Sequence, residues 1–393
     1  MRILFNIIFS AILVIGLVGF WALFLNLWKP KKKWPAWVGY IIIIGAWFAA
    51  IRYYILNQVD LYGTMYYPLM NMFRTESYGF LFGVFLAIPV FIILSLLYWT
   101  INKIWSKTPE ENRTGRRAFF RTAATIVPLA TIGGSSYAAF AGQQELVVTH
   151  ESFGYTNLPP GLKNYKIVQL SDIHIGPSID LDDFDEILKL ALLQKPNRVV
   201  ITGDLIDKLA WLPQVCERLT TFAKQIPDGV DFILGNHEYH HDVNKVLDSL
   251  KRNTPMNILV NSNIQIMGGK QPVYIAGVAY DNDRKKDNRE AMINKALSGI
   301  PDYAFVILLA HHPEFFEESI ERKIPLTLSG HTHGGQIVFM GMSLVPTGTP
   351  YTKGRYVEEQ SVCYVNNGTG HWFPIRINCP REITVITFFD GVA

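Results

Sequence analysis

Hydrophobic positions follow two incompatible patterns along this chain. Up to about residue 145 they form long, nearly unbroken runs, whereas from Tyr165 onward they come in short runs that stop abruptly at polar clusters. The long runs are four, at residues 3–28, 37–56, 78–101 and 118–141, each close to the roughly 20 residues that cross a bilayer as a helix. Helices buried in a soluble domain keep a polar face, and stretches such as Ile3 to Leu25 have almost none. The pattern therefore predicts four transmembrane spans within residues 1–145. The fourth is the least apolar, with Arg121, Pro128, Gly133 and Gly134.

The short runs predict an α/β domain over residues 146–393. Lys166 to Leu170, Arg198 to Thr202, Val230 to Leu234, Phe305 to Ala310 and Ile324 to Leu328 read as strands, with helical stretches such as Asp182 to Leu193 and Asp242 to Leu250 between them. Each strand runs into chemistry. In order come Asp172-Ile-His174, Gly203-Asp204-Leu-Ile-Asp207, Gly235-Asn236-His237-Glu238, His311-His312-Pro313 and Gly330-His331-Thr-His333-Gly334-Gly335. Ligands in α/β folds gather at the carboxyl ends of strands, so the five loops are expected to converge on one site.

Charge divides the chain at the same place. Residues 1–150 hold 13 Lys/Arg against 5 Asp/Glu, and residues 151–393 hold 23 against 28 together with nine of the ten His. The formal charge of +3 averages these unlike parts and argues neither for nor against nucleic acid; none is expected as a structural partner. Lys and Arg in the loops after the first three runs number four, one and five, and short basic loops stay in the cytoplasm. A multi-pass protein of the cytoplasmic (inner) membrane is expected, with the N-terminus and the catalytic domain on the extracytoplasmic side. Trp28, Trp34, Trp37, Trp99 and Trp105 then mark the inner interface. Gly115-Arg116-Arg117 with Ala139-Phe140-Ala141 also resembles a twin-arginine export signal. The spans contain no Asp, Glu or His, which weighs against a transporter.

Three cysteines, Cys216, Cys363 and Cys379, lack zinc-ligand spacing, so a metal must come from His and carboxylate. Spacing of two in extended chain puts Asp172 with His174, and His331 with His333, on one face and within reach of one ion.

The five blocks, in this order, resemble the calcineurin-like metallophosphoesterases, whose motifs run D-x-H, G-D-x-x-D, G-N-H-E, H and G-H-x-H. The resemblance covers about residues 163–390. Gly330 to Gln336 and Pro374 to Ile383 look most like the family's membrane-bound or exported bacterial branch, and the layout resembles its transmembrane proteins with a metallophosphoesterase domain. Asn366-Asn367-Gly368 departs from the branch, in which a serine or arginine is expected before the glycine.

The resemblance implies two facing mixed sheets flanked by helices, and two divalent metal ions, with Mn, Fe, Zn and Mg all compatible with N/O ligands. One ion would be held by Asp172, His174, Asp204 and His333, and the other by Asp204, Asn236, His311 and His331. His237 would stabilise charge on the leaving oxygen or protonate it, with Asp207 and Glu238 orienting His or Asn side chains behind the ligands. Two cations against two carboxylates leave net positive charge to meet a phosphate and a hydroxide. The expected function is a membrane-anchored, two-metal phosphoesterase that cleaves phosphomonoesters or diesters with metal-activated hydroxide, extending to a lipid-linked phosphate. Its partners would be the phosphoester substrate and the lipid bilayer. Rival readings are a pyrophosphatase of a nucleotide-linked lipid, similar to the UDP-diacylglucosamine hydrolases, and a non-catalytic metal-bound scaffold.

Overall fold

The computed structural model describes residues 61–104, 110–280, 285–372 and 375–391, together with Gly45 and Phe48. Apart from those two residues, the expected spans at 3–28 and 37–56 lie outside the described residues. The chain divides into two units, one ending at Gly142 and one beginning at Gln143.

In the first unit, α1 (Tyr67–Ile104) contains the expected third span and α2 (Glu110–Gln144) the fourth. Among the described residues, α1 is the one helix long and apolar enough to cross a membrane. Leu69, Met72, Phe85, Ile93, Leu96 and Trp99 lie exposed along it. The two helices meet where α1 has no side chains: a Cβ on Gly79 would stand 2.7 Å from Ser136 Cα, and one on Gly83 would stand 2.5 Å from Ile132 Cα. Such close backbone approach is how apolar helices gain contact when burial from water does not drive them together. Ala139-Phe140-Ala141, which resembles a cleavage site, lies within α2, and Ala139 is fully buried.

The second unit holds two six-stranded mixed sheets. The first takes the order β1-β14-β2-β3-β4-β5, formed by β1 (Leu146–Tyr155), β2 (Lys166–Leu170), β3 (Arg198–Ile201), β4 (Val230–Phe232), β5 (Asn257–Ile258) and β14 (Arg381–Asp390). All its pairs are parallel except β14 with β2. The second takes the order β12-β13-β9-β8-β7-β6, from β6 (Ser262–Met267), β7 (Val273–Gly277), β8 (Phe305–Leu309), β9 (Leu326–Ser329), β12 (Gly354–Glu358) and β13 (Ser361–Val365). Its two outer pairs are antiparallel and the central ones parallel.

One core joins the sheets: Ile167, Val200 and Ile386 from the first pack with Ile275, Ile307 and Leu328 from the second. Strands covered on both faces lose their polar alternation, and Phe305–Leu309 is accordingly buried at every position. Outside the second sheet, Val306 and Leu308 pack with Ile293 of α7 (Lys286–Ala296) and with Phe315 of α8 (Phe315–Glu321). Helices α3 (Leu181–Leu193), α4 (Leu212–Ala223) and α6 (Val243–Asn253) are the crossovers of the parallel run β2 to β5. Asp180 caps α3 through a reciprocal box with Asp183, and Asp242 caps α6 through the Lys245 amide. The family resemblance implied this pair of sheets, but the edge strands β1, β5, β6 and β12 and the inner strands β7, β13 and β14 were not read from the chain.

Candidate metal centre

Each polar cluster leaves the carboxyl end of a core strand: β2 delivers Asp172 and His174, β3 Asp204 and Asp207, β8 His311, and β9 His331 and His333. The short helix α5 (Asn236–His240), placed just after β4, delivers Asn236, His237 and Glu238. The seven side chains singled out as ligands come together in two sets. His174 Nε2 and His333 Nε2 stand 3.1 Å apart, and Asp172 Oδ1 is 3.4 Å from His333 Nε2. Across from them, Asn236 Oδ1 is 3.0 Å from both His311 Nε2 and His331 Nδ1. Asp204 stands between the sets, with Oδ2 3.6 Å from His174 Nε2 and 3.3 Å from His311 Nε2.

The backbone here is not extended. Asp172, His174, Asp204, His331 and His333 all take left-handed conformations, with φ between 51° and 71°. Non-glycine residues adopt this region rarely and at a cost that clusters at functional sites. With both in the left-handed region, His331 and His333 do not share a face as extended chain would place them, and their side chains join different sets. Glycine is required where backbone passes these carboxylates, since a Cβ on Gly235 would collide with Asp204 Oδ1 and one on Gly330 with Asp172 Oδ2.

Behind the donors, Asp207 accepts from His237 Nδ1 at 2.6 Å and approaches His174 Nδ1 at 3.3 Å. One carboxylate thus sets the ring orientation of a candidate ligand and of the candidate proton donor. Glu238 does something other than orient His or Asn. Its carboxylate accepts the amides of Gly235 at 2.7 Å, Leu205 at 2.8 Å and Asp204 at 3.0 Å, tying the β3 and β4 loops together. Asn367 is likewise structural: its amide donates to Glu382 and its carbonyl accepts from Arg376. Arg376 was missed as a site residue. It is buried, donates to the carbonyls of Gly370 and Asn367 at 2.8 Å, and lies 3.3 Å from His333 Nδ1. Its place in the quoted block Pro374 to Ile383 was the only signal. His312, next to His311, stacks on His331 with ring centroids 3.8 Å apart.

The electrostatics favour an added cation. Burial pushes the Asp172 carboxyl up, His311 opposes this, and the neighbouring Asp204 adds to it. Burial acts on Asp204 in the same direction, but His311, His237 and His174 hold it well below the usual carboxylate range. His311 rises to about 10 because Asp204 and Asp172 outweigh the effect of burial. Burial, with His174 and Arg376 nearby, pushes His333 far down and keeps it neutral. Buried carboxylates and a neutral imidazole whose nitrogens converge are a donor set for a hard to borderline divalent ion, and the residues present fit such a metal.

The fold and this cluster define an α/β domain with a histidine–carboxylate metal centre at its strand ends. Residues 165–335 match the family model described as calcineurin-like phosphoesterase. An uncharacterized metallophosphoesterase of Campylobacter jejuni is 30% identical, over 88% of this chain and 87% of its own. YkuE of Bacillus subtilis, named as an uncharacterized metallophosphoesterase, is 30% identical over 65% and 90% respectively. A Danio rerio relative named transmembrane protein with metallophosphoesterase domain is 28% identical over 77% of this chain and 71% of its own. The chain belongs to the calcineurin-like metallophosphoesterase family, and it is a metal-dependent phosphoester hydrolase.

Proposed function

We propose that this protein is a membrane-anchored phosphoesterase that uses two divalent ions to hydrolyse phosphomonoesters or diesters, lipid-linked phosphates among them. The observation that carries the reading is the Asp204 carboxylate standing between two sets of donors. Asp172, His174 and His333 would hold one ion, Asn236, His311 and His331 the other, and Asp204 would bridge them. When bound, the pair would supply Lewis acidity toward the phosphoryl oxygens and an activated water.

The chain's own residues then do the positioning and the proton work. The left-handed turns and the Glu238 clamp hold the donors before the metals arrive, so little reorganisation accompanies binding. His237 gives its proton to the leaving oxygen from Nε2, because Nδ1 is engaged by Asp207. In the metal-free site its pKa reaches about 9, as the Asp207 hydrogen bond and the Asp204 charge outweigh burial.

Anchoring through the spans at 3–28, 37–56, 78–101 and 118–141, with residues 146–393 as an extracytoplasmic domain of the inner membrane, is supported by α1, by its close approach to α2 and by the loop charges. All three native cysteines are buried, so a membrane-impermeant thiol reagent reports only introduced ones. In intact cells it should label a cysteine placed at Gln143 but not one at Lys107. Labelling at Gln143 only after permeabilisation would overturn the orientation and favour a nucleotide-lipid pyrophosphatase. Purified full chain, loaded with Mn, Zn, Fe or Mg in turn, should bind two ions and hydrolyse members of a panel of phosphomonoesters, diesters and lipid phosphates. One ion per active chain would overturn the two-metal reading.

A further inference from the structure

The chain that leaves the metal centre after His333 does something a soluble loop avoids. Residues 337–351 contain no charged residue and no histidine. Within them, β10 (Val338–Phe339) and β11 (Met342–Ser343) form a two-stranded antiparallel hairpin that joins neither large sheet. Its side chains are apolar and bare: Phe339, Met340, Met342 and Leu344 are between 59% and 83% exposed. A hairpin this short is marginal in water without a surface to pack on, and four large apolar side chains within six residues form a contiguous patch that calls for an occupant.

The base of the hairpin is fixed. Val338 donates to the Ile377 carbonyl, Leu344 to that of Ile337, and Asn378 Nδ2 to that of Val338. Ser343 Oγ donates to the carbonyl of Gly335, in the same turn as His333. Between this turn and the hairpin lies a cavity of about 510 Å³, with Gly334 at one wall, Val338 and Met342 at another, and Lys353 beside them. A metal-ligand loop, an open cavity with one cation in its lining, and an apolar hairpin are thus adjacent.

We infer that this hairpin is an interfacial wedge: its occupant is the lipid bilayer, into which Phe339, Met340, Met342 and Leu344 insert, with Lys353 at the level of anionic headgroups. Bare apolar side chains with a cation close by match the surface of an anionic membrane. The occupant is also the one to which α1, exposed and of membrane length, would confine the domain. The wedge makes the substrate a phosphoester lodged in the membrane surface, presented to the metal centre at headgroup depth. This deepens the membrane reading above and rests on it.

The test uses the full chain reconstituted into phosphatidylcholine–phosphatidylglycerol vesicles, with an environment-sensitive fluorophore on single introduced cysteines. Met340→Cys reports the hairpin, Leu96→Cys reports α1, and Tyr303→Cys, exposed ahead of β8 at the end of the sheet away from the site, is the aqueous control. The wedge predicts blue-shifted emission at Met340→Cys and quenching by lipids brominated in their acyl chains, with neither at Tyr303→Cys. Quenching at Leu96→Cys without quenching at Met340→Cys overturns the wedge and leaves the anchor standing; no quenching at either overturns both. As a second readout, serine at Phe339, Met340, Met342 and Leu344 together should lower turnover of a vesicle-borne lipid phosphate about tenfold more than turnover of a soluble aryl phosphate. Equal losses would mean that the hairpin only supports the fold.

Discussion

Leucine, isoleucine and phenylalanine are treated oppositely in the two units of this chain. In the α/β domain Phe184, Ile307 and Leu326 are buried almost completely, whereas along α1 Phe85, Ile93 and Leu96 lie open. The difference is the one expected if α1 lies in lipid, as proposed above. In water such side chains must turn inward, so the sheets sandwich them and the polar loops are pushed to the strand ends, where chemistry can gather. A helix whose surroundings are lipid has no reason to hide them, and its packing information moves to the residues with the least side chain, Gly79 and Gly83. Charge follows the same division, with basic residues in excess in the first 150 positions and acidic ones in the rest.

The strongest way to break this comparison is to show that activity does not live in the donor cluster. Asp204→Asn should lose bound metal and activity together, because one carboxylate serves both donor sets; metal analysis beside the assay checks it. His237→Asn should keep its metal while kcat falls roughly a hundredfold to ten-thousandfold, the scale of a lost proton donor. Metal loss in that variant would make His237 a ligand.

The two solvents predict a smaller difference in stability. Leu326→Ala opens a cavity in the inter-sheet core and should destabilise the domain by about 2–5 kcal/mol in denaturant unfolding. The same change at Leu96, exposed in α1, should leave the domain's unfolding midpoint within about 0.5 kcal/mol. If Leu96→Ala proves as costly as Leu326→Ala, α1 packs as a soluble helix does.

A further effect is a pH dependence confined to the metal-free domain. His237 binds its proton more tightly folded, at about 9, than at its ordinary 6.5. Its contribution to stability is therefore complete below about 6.5 and is lost as pH rises through about 9. Thermal unfolding of chelator-treated protein should show that loss between pH 6 and 10, and His237→Gln should reduce it, leaving the share of His311, which is lost as pH rises through about 10.

Much of the site was legible because its residue types are chemically unusual where they stand. A histidine or aspartate that ends an apolar run does nothing for a strand, so Asp172, Asp204, His311 and the two histidines around Thr332 declared themselves. Arg376 did not, because an arginine between isoleucines reads as an ordinary surface residue until the fold buries it beside His333. Glu238 was read for its neighbour Asn236 rather than for the amides of Asp204 and Leu205, more than thirty positions earlier. The unread strands were obscure for a similar reason: β1 and β14 pair along their full lengths across more than two hundred residues, and neither run announces its partner.

What the chain determined alone was local: which runs are apolar enough for lipid, which are strands, and which loops carry nitrogen and oxygen donors. Those properties depend on composition and spacing over a few residues. The tertiary structure decided how the donors are shared out. The left-handed turns at Asp172, His174, Asp204, His331 and His333 are held by carbonyl, amide and carboxylate partners from other strands, among them the Asp172 amide on the Gly203 carbonyl and the His331 amide on the Asp172 carboxylate. A backbone conformation that costs energy locally exists only where distant segments hold it in place, so the separation of His331 from His333 into two sets is a property of the assembled sheets.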